Sequence, residues 1–144
     1  MKTVLKILTL AATLHIAGCG PREDAARNDI LHVMHATWDR PDASLDAGPV
    51  AISGDYAVAD WTQGNMGGRA LLVRSKSIWQ VDVCGGDALR KAGALKSMGV
   101  PASDADALAS GLADLEKTIS PERLARMASF NGLIRMKPSE GQTR

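Results

Sequence analysis

His32 and His35 stand three residues apart, and Asp39 follows four residues later. On a helix this spacing sets the imidazoles roughly 60° apart around the axis, with the carboxylate one turn beyond, so the three groups can offer two nitrogens and one oxygen to a single ion. Among divalent first-row metals such a set favours Cu(II). The plainer reading is a solvated pair on an exposed helix face, because structural zinc sites ordinarily draw on four protein ligands. Cys84 is the second centre. It ends an apolar, alternating run and precedes Gly85-Gly86-Asp87, which reads as a strand passing into a helix N-terminus. Free amides and the helix dipole at such a place favour thiolate over thiol. As a soft donor Cys84 would need thioether partners. Met66 and Met34 qualify only if the fold brings them to it, and Met34 lies on an apolar stripe that core packing explains equally well. Burial as a small hydrophobe and service as a reactive thiol are the other readings of Cys84. Arg69, beside Gly67 and Gly68, can present a planar guanidinium to a partner's carboxylate.

Catalysis is not expected from these residues. No Ser occupies a nucleophile elbow, and Cys84 has no second cysteine in the exported domain to resolve a redox cycle if Cys19 is modified. Gly64-Asn65-Met66-Gly67-Gly68 lacks the Lys-Ser/Thr ending of a phosphate loop and joins two strands, so its glycines read as positive-φ turn positions. Nucleic acid is also excluded as a partner. The chain of 144 residues balances 17 basic against 16 acidic side chains, and its three Trp, one Tyr and one Phe provide no stacking platform.

The N-terminus indicates where the chemistry takes place. Lys2 and Lys6 lead into a short apolar stretch ending in Ala17-Gly18, the pattern of an export signal and too short for a lasting membrane span. Ile16-Ala17-Gly18-Cys19 resembles the lipobox of bacterial lipoproteins, which implies that Cys19 becomes the first mature residue and carries acyl chains. An ordinary secretory cleavage nearby is the alternative. Gly20 stands where an Asp, by the same resemblance, would retain a lipoprotein at the inner membrane; the expectation is a periplasmic domain anchored to the outer membrane. Loss of residues 1–18 leaves 126 residues with 15 basic and 16 acidic side chains, a near-neutral domain.

The elements that must position these residues are legible in the periodicity. Residues 19–24 read as a tether, residues 25–136 as a single domain and residues 137–144 as a flexible tail. Ile30, Val33, Met34, Thr37 and Trp38 form one stripe of a helix over 23–38 that Pro41 stops. From Pro49 onward the period falls to two, predicting strands at 50–53, 56–62, 69–74 and 78–84, with a glycine-rich connection over 63–68. Helical spacing returns from Asp87, as N-cap, to Met98, with Gly99 as the stop. Ser103 and Asp106 suggest a capping pair for the next helix, and Ser120-Pro121 opens a last one. Residues 132–136 can add an edge strand. The expected fold is α+β: an N-terminal helix, a four-stranded antiparallel meander and three C-terminal helices, with the helices on one sheet face. Cystatin-like packing is the nearest named architecture.

Several separated blocks also carry a family likeness. Ala36-Thr37-Trp38-Asp39-Arg40-Pro41, the run from Gly48 to Trp61, Gly67-Gly68-Arg69-Ala70-Leu71-Leu72, Trp79-Gln80-Val81 and Cys84-Gly85-Gly86-Asp87-Ala88-Leu89 resemble the bacterial copper uptake system-associated proteins. The resemblance implies a small exported accessory protein of copper import, acting beside outer-membrane receptors and periplasmic copper chaperones. It implies transient copper binding or docking of such a partner, and it assigns no ligands. A metal-free adaptor or inhibitor-like interaction module is the alternative.

Overall fold

The computed structural model describes residues 20–136; the segment expected to be an export signal, Cys19 and the tail expected over 137–144 lie outside the described residues. Among the described residues the order is α1 (Pro21–Trp38), β1 (Asp46–Ser53), β2 (Tyr56–Gln63), β3 (Met66–Ser75), β4 (Ile78–Gly85), a 3-10 turn (Asp87–Arg90), α2 (Ala92–Ser97), α3 (Ala102–Glu116), α4 (Pro121–Ala128) and β5 (Leu133–Arg135). The strands form one antiparallel sheet in the order β1-β2-β3-β4-β5. The α+β meander is as expected, and the edge strand that 132–136 allows forms at 133–135, where it pairs with β4 and makes the sheet five-stranded. None of the described helices is long and apolar enough to cross a membrane.

Two apolar clusters lie on opposite sides of the sheet. On one face Ile30 and Met34 of α1 pack against Ala57, Ala59, Ala70 and Leu72. The three alanines leave room for a helix to sit close to the sheet. On the other face Leu108 and Leu112 of α3 and Leu95 of α2 cover Ala51, Val58, Leu71 and Val83. The expectation that the helices share one face is therefore corrected. Strand side chains alternate, and both faces of β2 and β3 are apolar enough to require cover, which one layer of helices cannot supply.

Local chemistry explains the boundaries. Pro21 occupies the first turn of α1, where its missing N–H costs nothing, so the helix starts at 21 rather than 23 and shortens the expected tether. Ser120 Oγ accepts the Arg123 N–H at 3.3 Å, and Pro121 comes next at the first helical position, as predicted. Gly99, at φ 98°, ends α2: the Val100 N–H donates to Leu95 O and the Gly99 N–H to Lys96 O, a Schellman closure. The helix expected from Asp87 to Met98 is broken, because Lys91 is extended and separates the 3-10 turn from α2. Asp87 does not cap that turn, since Gly86 precedes it and the Asp87 carboxylate is engaged elsewhere. The Ser103–Asp106 capping pair does not form either; α3 starts after Pro101, and Asp104 accepts from Ser53 Oγ at 2.7 Å.

The segment 63–68 differs most from expectation. Gln63 pairs with Met66 across a two-residue turn, Gly64-Asn65, and of its glycines only Gly64 has positive φ, at 57°. Gly67 and Gly68 belong to β3. A Cβ on Gly67 would meet the Met127 N at 3.0 Å, and one on Gly68 would meet Gly85 O and Trp61 Cζ2, each at 2.9 Å. Those glycines permit close packing rather than a turn.

Candidate functional site

On the α1 side of the sheet a cavity of about 210 Å³ has Cys84, Met66 and Met136 in its walls. Register brings them there. The Gly64-Asn65 turn sets Met66 at the start of β3, and Cys84 on β4 pairs with Ile134 of β5, so Met136, two residues further, falls on the same side of the sheet as Cys84. The Met136 N–H donates to Asp82 O at 2.7 Å and continues the pairing past the end of β5. Trp38, Trp61 and Phe130 contribute aromatic walls. The Trp61 and Phe130 rings meet edge to face with centroids 6.0 Å apart. Gln63 Nε2 donates to both Trp38 O and Ala43 O at 2.7 Å, tying the end of α1 and the linker after it to β2. The Trp61 indole N–H is buried without a hydrogen-bond partner.

Cys84 is 6% exposed, and burial pushes its thiol up to about 11. The expected thiolate is therefore corrected. Gly85 still belongs to β4, and the chain beyond Gly86 forms a four-residue 3-10 turn rather than an α-helix whose dipole could stabilise an anion. At neutral pH the group is a protonated thiol. Met66, by contrast, is 57% exposed and stands at the solvent side of the same cavity. Met34 is fully buried in the α1 core cluster and does not line the cavity.

His32 is exposed and His35 half-buried on α1. His35 Nδ1 lies 3.3 Å from Asp39 Oδ2, so that pair does come together. Asp39 has a structural task as well: its Oδ1 accepts the Leu45 N–H at 2.9 Å, and that bond is the chief reason its carboxyl is held below the usual range, with His35 adding to it. The aspartate thereby closes the turn between α1 and β1. Among the described residues no three His, Cys, Asp or Glu side chains gather into a group able to hold a metal ion. Cys19 lies outside the described residues.

Arg69 is fully buried, so its guanidinium does not face a partner. The carboxylates it meets are the chain's own. Nε donates to Glu116 Oε1 at 2.8 Å, Nη2 lies 2.7 Å from the same oxygen, Nη1 donates to Asp87 Oδ1 at 3.1 Å, and Asp60 Oδ1 is 3.4 Å from Nε. Arg90 Nε reaches the other Glu116 oxygen at 2.8 Å. This cluster lies on the α3 side of the sheet, across it from the cavity, and clamps β2, β3, the 3-10 turn and α3 together. Asp60 is the strained member. Neither of its oxygens has a hydrogen-bond partner, and burial, then the nearby Glu116 charge, raises its pKa to about 7 against the opposing pull of Arg69.

Sequence reasoning singles out Cys84 and Met66 but misses Met136 and the internal role of Arg69. Met136 lies in the edge strand that residues 132–136 allow, but it becomes a candidate only once that strand is paired with β4, a partner that no local signal names. Compared with family models, with curated proteins and with solved structures, the chain gives no match.

Proposed function

We propose that the chain is an envelope-located accessory protein of bacterial copper uptake that holds copper transiently beside Cys84 and passes it to, or takes it from, a chaperone or receptor. One observation carries this reading: the fold delivers Cys84 and Met66, on different strands, to the walls of one apolar cavity. Soft sulfur donors in an apolar setting are what copper trafficking requires, because they hold the ion without competing for hard cations. The export signal, the acylation expected at Cys19 and the family resemblance support an envelope location. No nucleophile and base stand together at the cavity, so the proposed role is carriage and not catalysis.

A metal-free interaction module is the second reading. It is favoured by the exposed edge strand β5, where Ile134, 54% exposed, lines the cavity and Leu133, 48% exposed, projects from the opposite face. Fractionation of cells producing the full chain, with copper assayed in the purified protein, separates these readings. The copper reading expects the chain in the outer-membrane fraction, released to the soluble periplasm by Cys19→Ser, with copper bound under reducing conditions. An unprocessed chain in the cytosol would refute the envelope role. Envelope location with no copper retained under any redox condition would leave the interaction module.

A further inference from the structure

We propose that Cys84, Met66 and Met136 form a three-sulfur site that takes Cu(I) in preference to Cu(II). The inference rests on the copper reading and gives it an oxidation state and a ligand set.

The donors decide the class of ion. A thiolate and two thioethers suit soft monovalent copper, whereas Cu(II) and Zn(II) draw their affinity from imidazole and carboxylate groups. The cavity offers none of those: its lining contains no His, Asp or Glu, and the amide nitrogen of Gln63 is committed to two backbone carbonyls. Charge points the same way. Binding replaces the Cys84 S–H bond with an S–Cu bond and releases the proton to solvent, with no change of oxidation state. With Cu(I) the thiolate and the ion sum to zero. With Cu(II) a net positive charge would remain among Trp38, Trp61, Phe130 and Ile134, where nothing is placed to compensate it.

Exposure provides the route. Met66 is 57% exposed and Cys84 6%, so the cavity joins a solvent-facing thioether residue to a buried thiol. Met136 is held by its backbone bond to Asp82 beside β4 and packs partly buried against the α1-side core, and an unbranched thioether side chain adapts readily to an ion.

The full chain, purified under reducing conditions, would be titrated with Cu(I) against a chromogenic Cu(I) chelator and separately with Cu(II). Tryptophan fluorescence is the second readout, since Trp38 and Trp61 line the cavity. The expected result is one Cu(I) per chain with quenching, loss of that stoichiometry in Cys84→Ala, and weakening by at least about tenfold in Met136→Leu. Met136→Leu nearly conserves volume and keeps the test sound should the cysteine variant fold poorly. His32→Ala/His35→Ala should bind as wild type. Wild-type Cu(I) affinity in Met136→Leu, or Cu(II) bound as tightly as Cu(I), overturns the sulfur site. If the histidine variant alone loses copper, this site fails while the copper reading stands; if the wild type binds copper in neither state, both fail.

Discussion

Replacing Asp60 with Asn should remove most of the pH dependence of folding stability. Asp60 is wholly buried, with an ion pair to Arg69 at 3.4 Å and no hydrogen bond to either oxygen, and its pKa rises from 3.8 to about 7. The folded protein therefore holds a proton that the unfolded chain gives up between those values. A raised carboxyl pKa makes a stabilising contribution that is fully present below pH 3.8 and is lost as pH rises through about 7. Roughly three units at about 1.4 kcal/mol each give a loss on the order of 4 kcal/mol as pH rises from 3.8 to about 7. That is a large share of the roughly 5–15 kcal/mol that holds a domain together. Urea unfolding of wild type and Asp60→Asn at intervals from pH 4.5 to 8 measures it. The wild-type midpoint should fall across this range while that of the variant changes much less. A flat wild-type profile, or an equal slope in the variant, would refute the assignment of this titration to Asp60.

The same packing sets two further outcomes. Glu116→Gln leaves the buried Arg69 short of its closest counter-charge and should cost about 3–5 kcal/mol in chemical denaturation; because the Glu116 charge helps raise Asp60, the pH window should also move to lower values. Gly86→Ala brings a methyl to 2.5 Å from Phe130 O and should destabilise the protein by about 1–3 kcal/mol, seen as a lower melting temperature, because the obstacle is backbone.

The legible part of the fold is local. The stripe of α1, the alternation of β2 and β4, and the Ser120-Pro121 start of α4 each depend on neighbouring residues and appear in the structure close to their expected positions. The placement of helices over both faces is not legible, because periodicity tells which side of a strand is apolar but not which helix covers it. Arg69 is the instructive case. As a charge beside two glycines, it suggests a surface contact. Yet once Gly64-Asn65 is taken as a two-residue turn, Asp60 falls directly opposite Arg69, an opposite-charge pair inside two otherwise apolar strands. Such a pair signals a buried cluster, and assigning the whole segment 63–68 to a loop conceals it. Cys84 stands out by its chemistry, but its protonation state depends on burial and on a 3-10 turn in place of a helix.

The first helix has a consequence for reach. Its 18 residues extend about 27 Å at 1.5 Å per residue, starting one position after Gly20, and the far end supplies Trp38 to the sulfur-lined hollow. With fatty chains on Cys19, nothing but a single glycine would separate the lipid from a stiff rod. On the proposed anchored reading, the hollow would stand off from the bilayer by at most about that length, and any partner that meets it would have to reach within the same distance of the lipid surface.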